Sequence, residues 1–252
     1  MSEEREFTKK RLTELAKKSY ERGIFTFSDF LGLDELSAFS EIKSSLAGIK
    51  YTEFGGTEGA ERVMLRFGDE DELGWSEDFP IAVLKIEPRA KRWAERLTHR
   101  DLLGALMNLG IERSSLGDIV IRENVAYVFA NERIAPFIEE SLTRARHTDL
   151  TVTRVEAVPD GALYKTEDKT VQCQSARVDA IIARVFSLSR DDAAALFQRK
   201  LVFIDGRLTE SPSKEPKPHQ TVSVRGFGRF VFEGQVGTSK KGKLNLLVRV
   251  FV

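Results

Sequence analysis

The sequence holds a single cysteine, Cys173, which rules out an intramolecular disulfide framework and suits a reducing compartment. Its three histidines, His99, His147 and His219, stand too far apart for any zinc-ligand spacing, so no metal is expected. No run approaches the roughly 20 apolar residues of a membrane span. The opening MSEEREFTKKRL is charged and has no apolar signal core. The glycine-rich stretch FGGTEGAER lacks the GK[ST] ending and following helix of a phosphate loop, and reads as a tight turn. A cytoplasmic chain is expected, with no membrane contact, metal or cofactor.

Net charge is also absent, with 39 basic against 39 acidic residues, but the charge is unevenly distributed. Residues 1–79 carry 11 Lys and Arg against 18 Asp and Glu; residues 174–252 carry 14 against 7. An acidic front module and a basic rear module predict a polyanion partner for the rear and leave the acidic residues 1–79 as a surface for a protein partner.

Along the chain the fold class reads as α+β in three modules. The first, 1–79, is an α/β domain. It opens with a helix whose Leu12, Leu15, Ala16 and Ser19 share a face, has a second helix near LDELSAFSEIKSSL, and a strand over Arg62–Phe67. The second, 80–158, gives strand (FPIAVLKIEP), helix (THRDLLGALMNLG), two strands (DIVIR, VAYVFA), helix (NERIAPFIEESLTRAR) and strand (LTVTRVEAV). Thr98 caps the first helix with Asp101 as box partner, and Glu123-Asn124 is a two-residue hairpin turn. This order is the ferredoxin-like arrangement shared by RNA-recognition motifs. Tyr127 and Phe129 fall on one face of the third strand, where such motifs stack bases, although packing in a core accounts for them as well. His99-Arg100-Asp101 is the first turn of the capped helix rather than a catalytic loop, which makes His99 and Arg100 secondary binding candidates beside Tyr127 and Phe129. Residues 159–173 are polar and turn-rich and read as a linker or a peripheral hairpin.

In the third module, 174–252, Val178, Ile181, Ile182 and Val185 form an apolar helical stripe with Arg177 and Arg184 on its flank. Ser189 caps a second helix, with Asp192 three residues on. Arg190 sits at that helix's first position and opposes the macrodipole, at a cost of up to ~1 kcal/mol, while favouring an anion at the free amides. Arg199 and Lys200 close the helix. Strands follow, with Arg207, Lys214, Arg225 and Arg229 along them and their loops, and Lys240, Lys241 and Lys243 at the last hairpin turn. All thirteen residues (Arg177, Arg184, Ser189, Arg190, Arg199, Lys200, Arg207, Lys214, Arg225, Arg229 and the three lysines) are candidates for one basic surface that takes a polyanion.

RVDAIIARVFSLSRDDAAALFQRKLVFIDGR resembles the S4-like RNA-binding domain, at Arg177, Asp179, Ser189, Arg190, Ala193, Leu196, Val202, Gly206 and Pro212-Ser213. Lys200 stands where that family commonly has glycine, Asp205 where asparagine is frequent, and His219-Gln220 where a Gly-Asp turn is usual. With FGGTEGAER, FPIAVLKIEP, LTHRDLLGALMNLGIERSSLGDI and RGFGRFVFEGQVGTSKKGK, nearly the whole chain resembles the YlmH family of bacterial proteins. The resemblance implies a non-catalytic protein that binds large-subunit rRNA and tRNA or peptidyl-tRNA in ribosome-associated quality control, with RNA as the polyanion on the basic surface and Arg177, Arg190 and the Arg199-Lys200 corner on RNA backbone. Nothing demands an oligomer, and a monomer is expected. The competing readings are an RNA-modifying enzyme of pseudouridine synthase or methyltransferase type, for which no catalytic motif is found, and a cell-division-linked interaction protein.

Overall fold

The computed structural model describes residues 3–90, 94–156, 158 and 164–251. Residues 159–163 of the expected linker lie outside them. The chain divides into two compact units, Met1–Leu163 and Tyr164–Val252. The segments expected as separate modules over 1–79 and 80–158 share the first unit.

The first unit opens with α1 (Glu3–Arg22), which buries Leu12, Ala16 and Ser19. β1 (Thr26–Phe27), α2 (Leu33–Ile42), β2 (Tyr51–Phe54) and β3 (Met64–Phe67) follow, and the strands form an antiparallel sheet in the order β1-β3-β2. Leu12, Ala16, Phe39, Leu65 and Phe67 close one core between helices and sheet. The strand begins at Met64 rather than Arg62, because Arg62 is held elsewhere: its guanidinium donates to the carbonyls of Leu116, Phe30 and Arg113. A short α3 (Glu70–Leu73) is capped by the Asp69 carboxylate, which accepts from the amides of Asp71 and Glu72.

The ferredoxin-like part is β4 (Ile81–Pro88), α4 (His99–Asn108), β5 (Leu116–Arg122), β6 (Val125–Asn131), α5 (Ala135–Ser141), β7 (Arg144–Ala145) and β8 (Thr148–Val155). The sheet order is β5-β6-β4-β8-β7, antiparallel throughout. Apart from β7 this is the expected βαββαβ order. The cap of α4 forms as expected: Thr98 Oγ1 accepts from the Asp101 amide, and the Asp101 carboxylate accepts from the Thr98 amide. Glu123 and Asn124 both have positive φ, 49° and 64°, as a tight hairpin turn requires. The second helix is shorter than expected. It ends at Ser141 because Arg144 and Ala145 leave it to pair with Asp149 and Thr148 across a two-residue turn, Arg146-His147. One sheet face packs Leu84, Ile86, Ala126, Val128 and Ala130 against Leu102, Leu106 and Ile138 of the helices.

The second unit corrects the expected linker. Thr166–Cys173 is a strand, β9, paired antiparallel with β14 (Leu244–Phe251) along its whole length, from Thr166 opposite Phe251 to Cys173 opposite Leu244. Only Val171 and Cys173 of the strand are buried, so it has almost no apolar alternation; its backbone is satisfied as an edge strand. α6 (Val178–Val185) and α7 (Arg190–Gln198) pack on a six-stranded sheet. β10 (Val202–Ile204), β11 (Arg207–Leu208), β12 (Gln220–Val224) and β13 (Gly228–Thr238) complete it, in the order β11-β10-β12-β13-β14-β9. Ile181, Ile182, Leu196, Phe197, Phe230 and Val248 sit in its core.

Candidate nucleic-acid interface

The apolar stripe of α6 faces the sheet, which turns Arg184 outward beside Ala180 and Ala183. Ser189 accepts from the Asp192 amide at 3.0 Å and gives its hydroxyl proton to the Asp192 carboxylate at 2.6 Å. That cap fixes the start of α7 and holds Arg190 at its first turn. The end of β9 brings Gln172, Cys173 and Gln174 alongside, and the start of β14 brings Lys243. Together they line a concavity of about 260 Å³ whose wall includes three cations, Arg184, Arg190 and Lys243. No carboxylate among the described residues lies within ion-pair distance of these three side chains, although the chain is rich in ion pairs elsewhere. Guanidinium and ammonium groups without carboxylate partners, beside the primary amides of Gln172 and Gln174, have the chemistry to take a phosphate. Cys173 is buried, with its thiol 3.6 Å from the Ala180 carbonyl, and burial pushes its pKa up, so it stays a neutral part of the wall.

The other expected contacts divide. Arg199, Arg207, Lys214, Lys240 and Lys241 are exposed and lie outside the lining of this pocket. Lys200 is exposed and bonded to Glu210 at 3.1 Å. Arg177 is engaged by Asp179 through two bonds, 3.1 and 2.8 Å, and Asp179 in turn accepts from the Ala180 amide, so this pair braces the start of α6. Arg225 is exposed and stacks over Phe203 at 5.5 Å. Arg229 is corrected. It is 9% exposed and lies between the rings of Tyr164 and Phe251, at 4.8 and 4.1 Å, as a structural cation rather than a surface one. Sequence reasoning missed three exposed residues. Gln172 fell in the presumed linker, Gln174 opened the third module without being singled out, and Phe227 is 46% exposed at the β12–β13 turn beside Phe186. The only sequence signal for Phe227 is an aromatic between two glycines, Gly226 and Gly228, both of positive φ.

The positions that depart from the S4-like pattern share one backbone feature. Lys200, Asp205 and His219 all have positive φ, 57°, 46° and 68°. Asp205 uses its carboxylate to accept from the Thr221 amide and the Gln220 side chain, which holds the turn in place of an asparagine.

In the first unit Tyr127 and Phe129 do lie on the sheet face opposite the helices, but that face is not open there. Phe129 is completely buried and Tyr127 is 8% exposed. The FGGTEGAER loop packs on Phe129 so closely that a Cβ at Gly56 would sit 2.3 Å from the ring. At Gly117 a Cβ would be 2.7 Å from Phe30 and 2.9 Å from Phe129. Asp118 accepts from the amides of Glu61 and Arg62 at 2.7 and 3.1 Å and pins the loop. Arg113 donates to the carbonyls of Leu116 and Gly117, and burial, then the neighbouring Arg62, push its pKa down to about 10. As stacking platforms both aromatics are therefore corrected to packing residues. His99 is close to Arg113 and Asp118; partial desolvation and then Arg113 lower its pKa below the usual histidine value, so at neutral pH it carries no charge for phosphate. Arg100 faces solvent on the helix side.

Residues 75–158 match the family described as "Putative RNA-binding domain in YlmH". Over 224 residues the chain is 28% identical to "Ribosome-associated protein quality control protein P2" of Bacillus subtilis (strain 168), covering 86% of this chain and 83% of that protein. Among solved structures it is similar to "Cell division protein ylmH from Streptococcus pneumoniae", with 21% identity and a TM-score of 0.48, covering 62% of this chain and 93% of that one. The chain is thus similar to YlmH-family proteins over most of its length, and its residues 75–158 match that family's RNA-binding domain.

Proposed function

We propose that this protein is a non-catalytic RNA-binding factor of the ribosome. Its partners are large-subunit rRNA and the tRNA of a stalled peptidyl-tRNA complex, and its process is ribosome-associated quality control. The observation that carries the reading is the convergence of Arg184, Arg190 and Lys243, without carboxylate partners among the described residues, on one pocket of the second unit. The matched RNA-binding family and the function named for the Bacillus subtilis relative support it. The pocket selects RNA by the placement of its phosphates and by 2′-hydroxyls, which the amides of Gln172 and Gln174 can reach; the grooves of an RNA helix offer side chains little base information. Arg177 contributes by bracing α6, and Phe227 and Arg225 extend the surface along the β12–β13 turn.

The test is retention on purified large subunits that carry peptidyl-tRNA. The wild-type chain is expected to be retained, and an Arg184→Glu, Arg190→Glu double variant with unchanged thermal unfolding is expected to lose at least tenfold in affinity. Equal retention of the two would refute the assignment.

A further inference from the structure

The first unit presents a sealed sheet and an open helix side. Between α4 and the corner where α5 runs into β7 lies a groove of about 580 Å³. Arg100, Gly104 and Asn108 come from α4, Ser141 from the end of α5, Thr143 from the link to β7, and Arg144 and Arg146 from the β7–β8 hairpin. All three arginines are exposed. Arg100 has no carboxylate within ion-pair distance among the described residues, and the others have only long ones: Arg144 to Asp149 at 3.9 Å, and Arg146 to Glu95 and Asp101 at 3.8 Å each. The one carboxylate in the lining, Asp101, is already committed to the Thr98 amide and hydroxyl at 3.0 and 2.6 Å.

Two features are unfavourable for the fold taken alone. Arg146 has φ 54° at the first position of its turn, where glycine or asparagine is the unstrained choice. Gly104 lies inside α4, where glycine is a poorer helix former than alanine, although a Cβ there would meet nothing within 4 Å. Both help the groove: the turn aims a third guanidinium at it, and the glycine leaves its wall free for close approach.

We infer that the ferredoxin-like module binds an RNA sugar-phosphate backbone through this helix-side groove and not through its sheet. This rests on the RNA-binding reading above and extends it to a second site. The guanidiniums take phosphates as bidentate partners, in exchange for their long carboxylate pairs. Asn108, Ser141 and Thr143 offer hydrogen bonds to 2′-hydroxyls.

The experiment uses the full chain and a blunt-ended RNA duplex of mixed sequence, with affinity measured across a salt series. It compares wild type, Arg144→Gln with Arg146→Gln, and Arg184→Gln with Arg190→Gln. The groove variant is expected to bind the duplex at least tenfold more weakly. Its log affinity against log salt should be shallower by roughly one for each phosphate that the variant no longer neutralises. With 4-thiouridine in the duplex, wild-type crosslinks are expected within 99–108 and 141–146, a readout that does not depend on the variant's folding. A groove variant that matches wild type in affinity and slope, or crosslinks that avoid these segments, overturns the inference. If only the pocket variant weakens binding, or if the wild type follows large subunits but ignores the duplex, the inference falls while the proposed function stands.

Discussion

Individual arginines in this protein do opposite work, and their surroundings decide which. Arg229, held between Tyr164 and Phe251, ties β13 to the start of the second unit and the end of β14. Arg229→Ala is expected to lower unfolding free energy by about 2 kcal/mol in denaturant titration, since it removes two cation–π contacts and a packed stem. Arg190→Ala removes nothing of that kind. It should leave stability within about 0.5 kcal/mol while weakening RNA binding. Lys200 marks a third case. Its positive φ suits glycine, so Lys200→Gly is expected to gain up to about 1 kcal/mol, read as a higher denaturation midpoint, less what the exposed Glu210 pair contributes. A lowered midpoint would show that the Lys200–Glu210 pair outweighs the backbone strain. Sequence patterning tells these residues apart poorly: an arginine after Phe-Gly looks the same whether it faces solvent or two rings, because the rings come from Tyr164 and Phe251 at the far ends of the unit.

Elements with strong local signals are legible. The α4 cap, the Glu123-Asn124 turn, the α6 stripe and the Ser189 cap all follow from spacing and reappear in the structure. β9 is not, because a polar edge strand owes its existence to β14, about 75 residues later, and not to its own pattern. With it go Gln172 and Gln174, the two primary amides of the pocket's rim. Val171→Asp would place a charge under that strand and is expected to destabilise the second unit by ~3 kcal/mol or more, seen as early loss of its cooperative unfolding. The FGGTEGAER loop reads as a turn, but its packing over Phe129 is invisible without the sheet it covers. Phe129→Ala is accordingly expected to cost about 3–5 kcal/mol and to unfold the first unit at lower denaturant. A variant that kept its stability and lost only RNA affinity would instead restore Phe129 as a stacking residue.

At the scale of the molecule, acidic residues gather in 1–79 and basic ones in 174–252, so the balanced total hides a chain suited to meeting a polyanion with its last third. The helix-side groove adds a second basic site in the otherwise charge-balanced middle. Among the described residues no helix is long and apolar enough to cross a membrane, and no cluster of ligating side chains would hold a metal. The central claim is that this chain is a ribosome-binding protein held largely by phosphate contacts. The most direct measurement is co-sedimentation of the wild-type chain with separated small and large subunits across a salt series. The account predicts selective recovery with the large subunit, and an affinity that falls linearly in log salt with a slope of roughly one per phosphate bound. Recovery with neither subunit, or large-subunit binding that salt leaves unchanged, would contradict it.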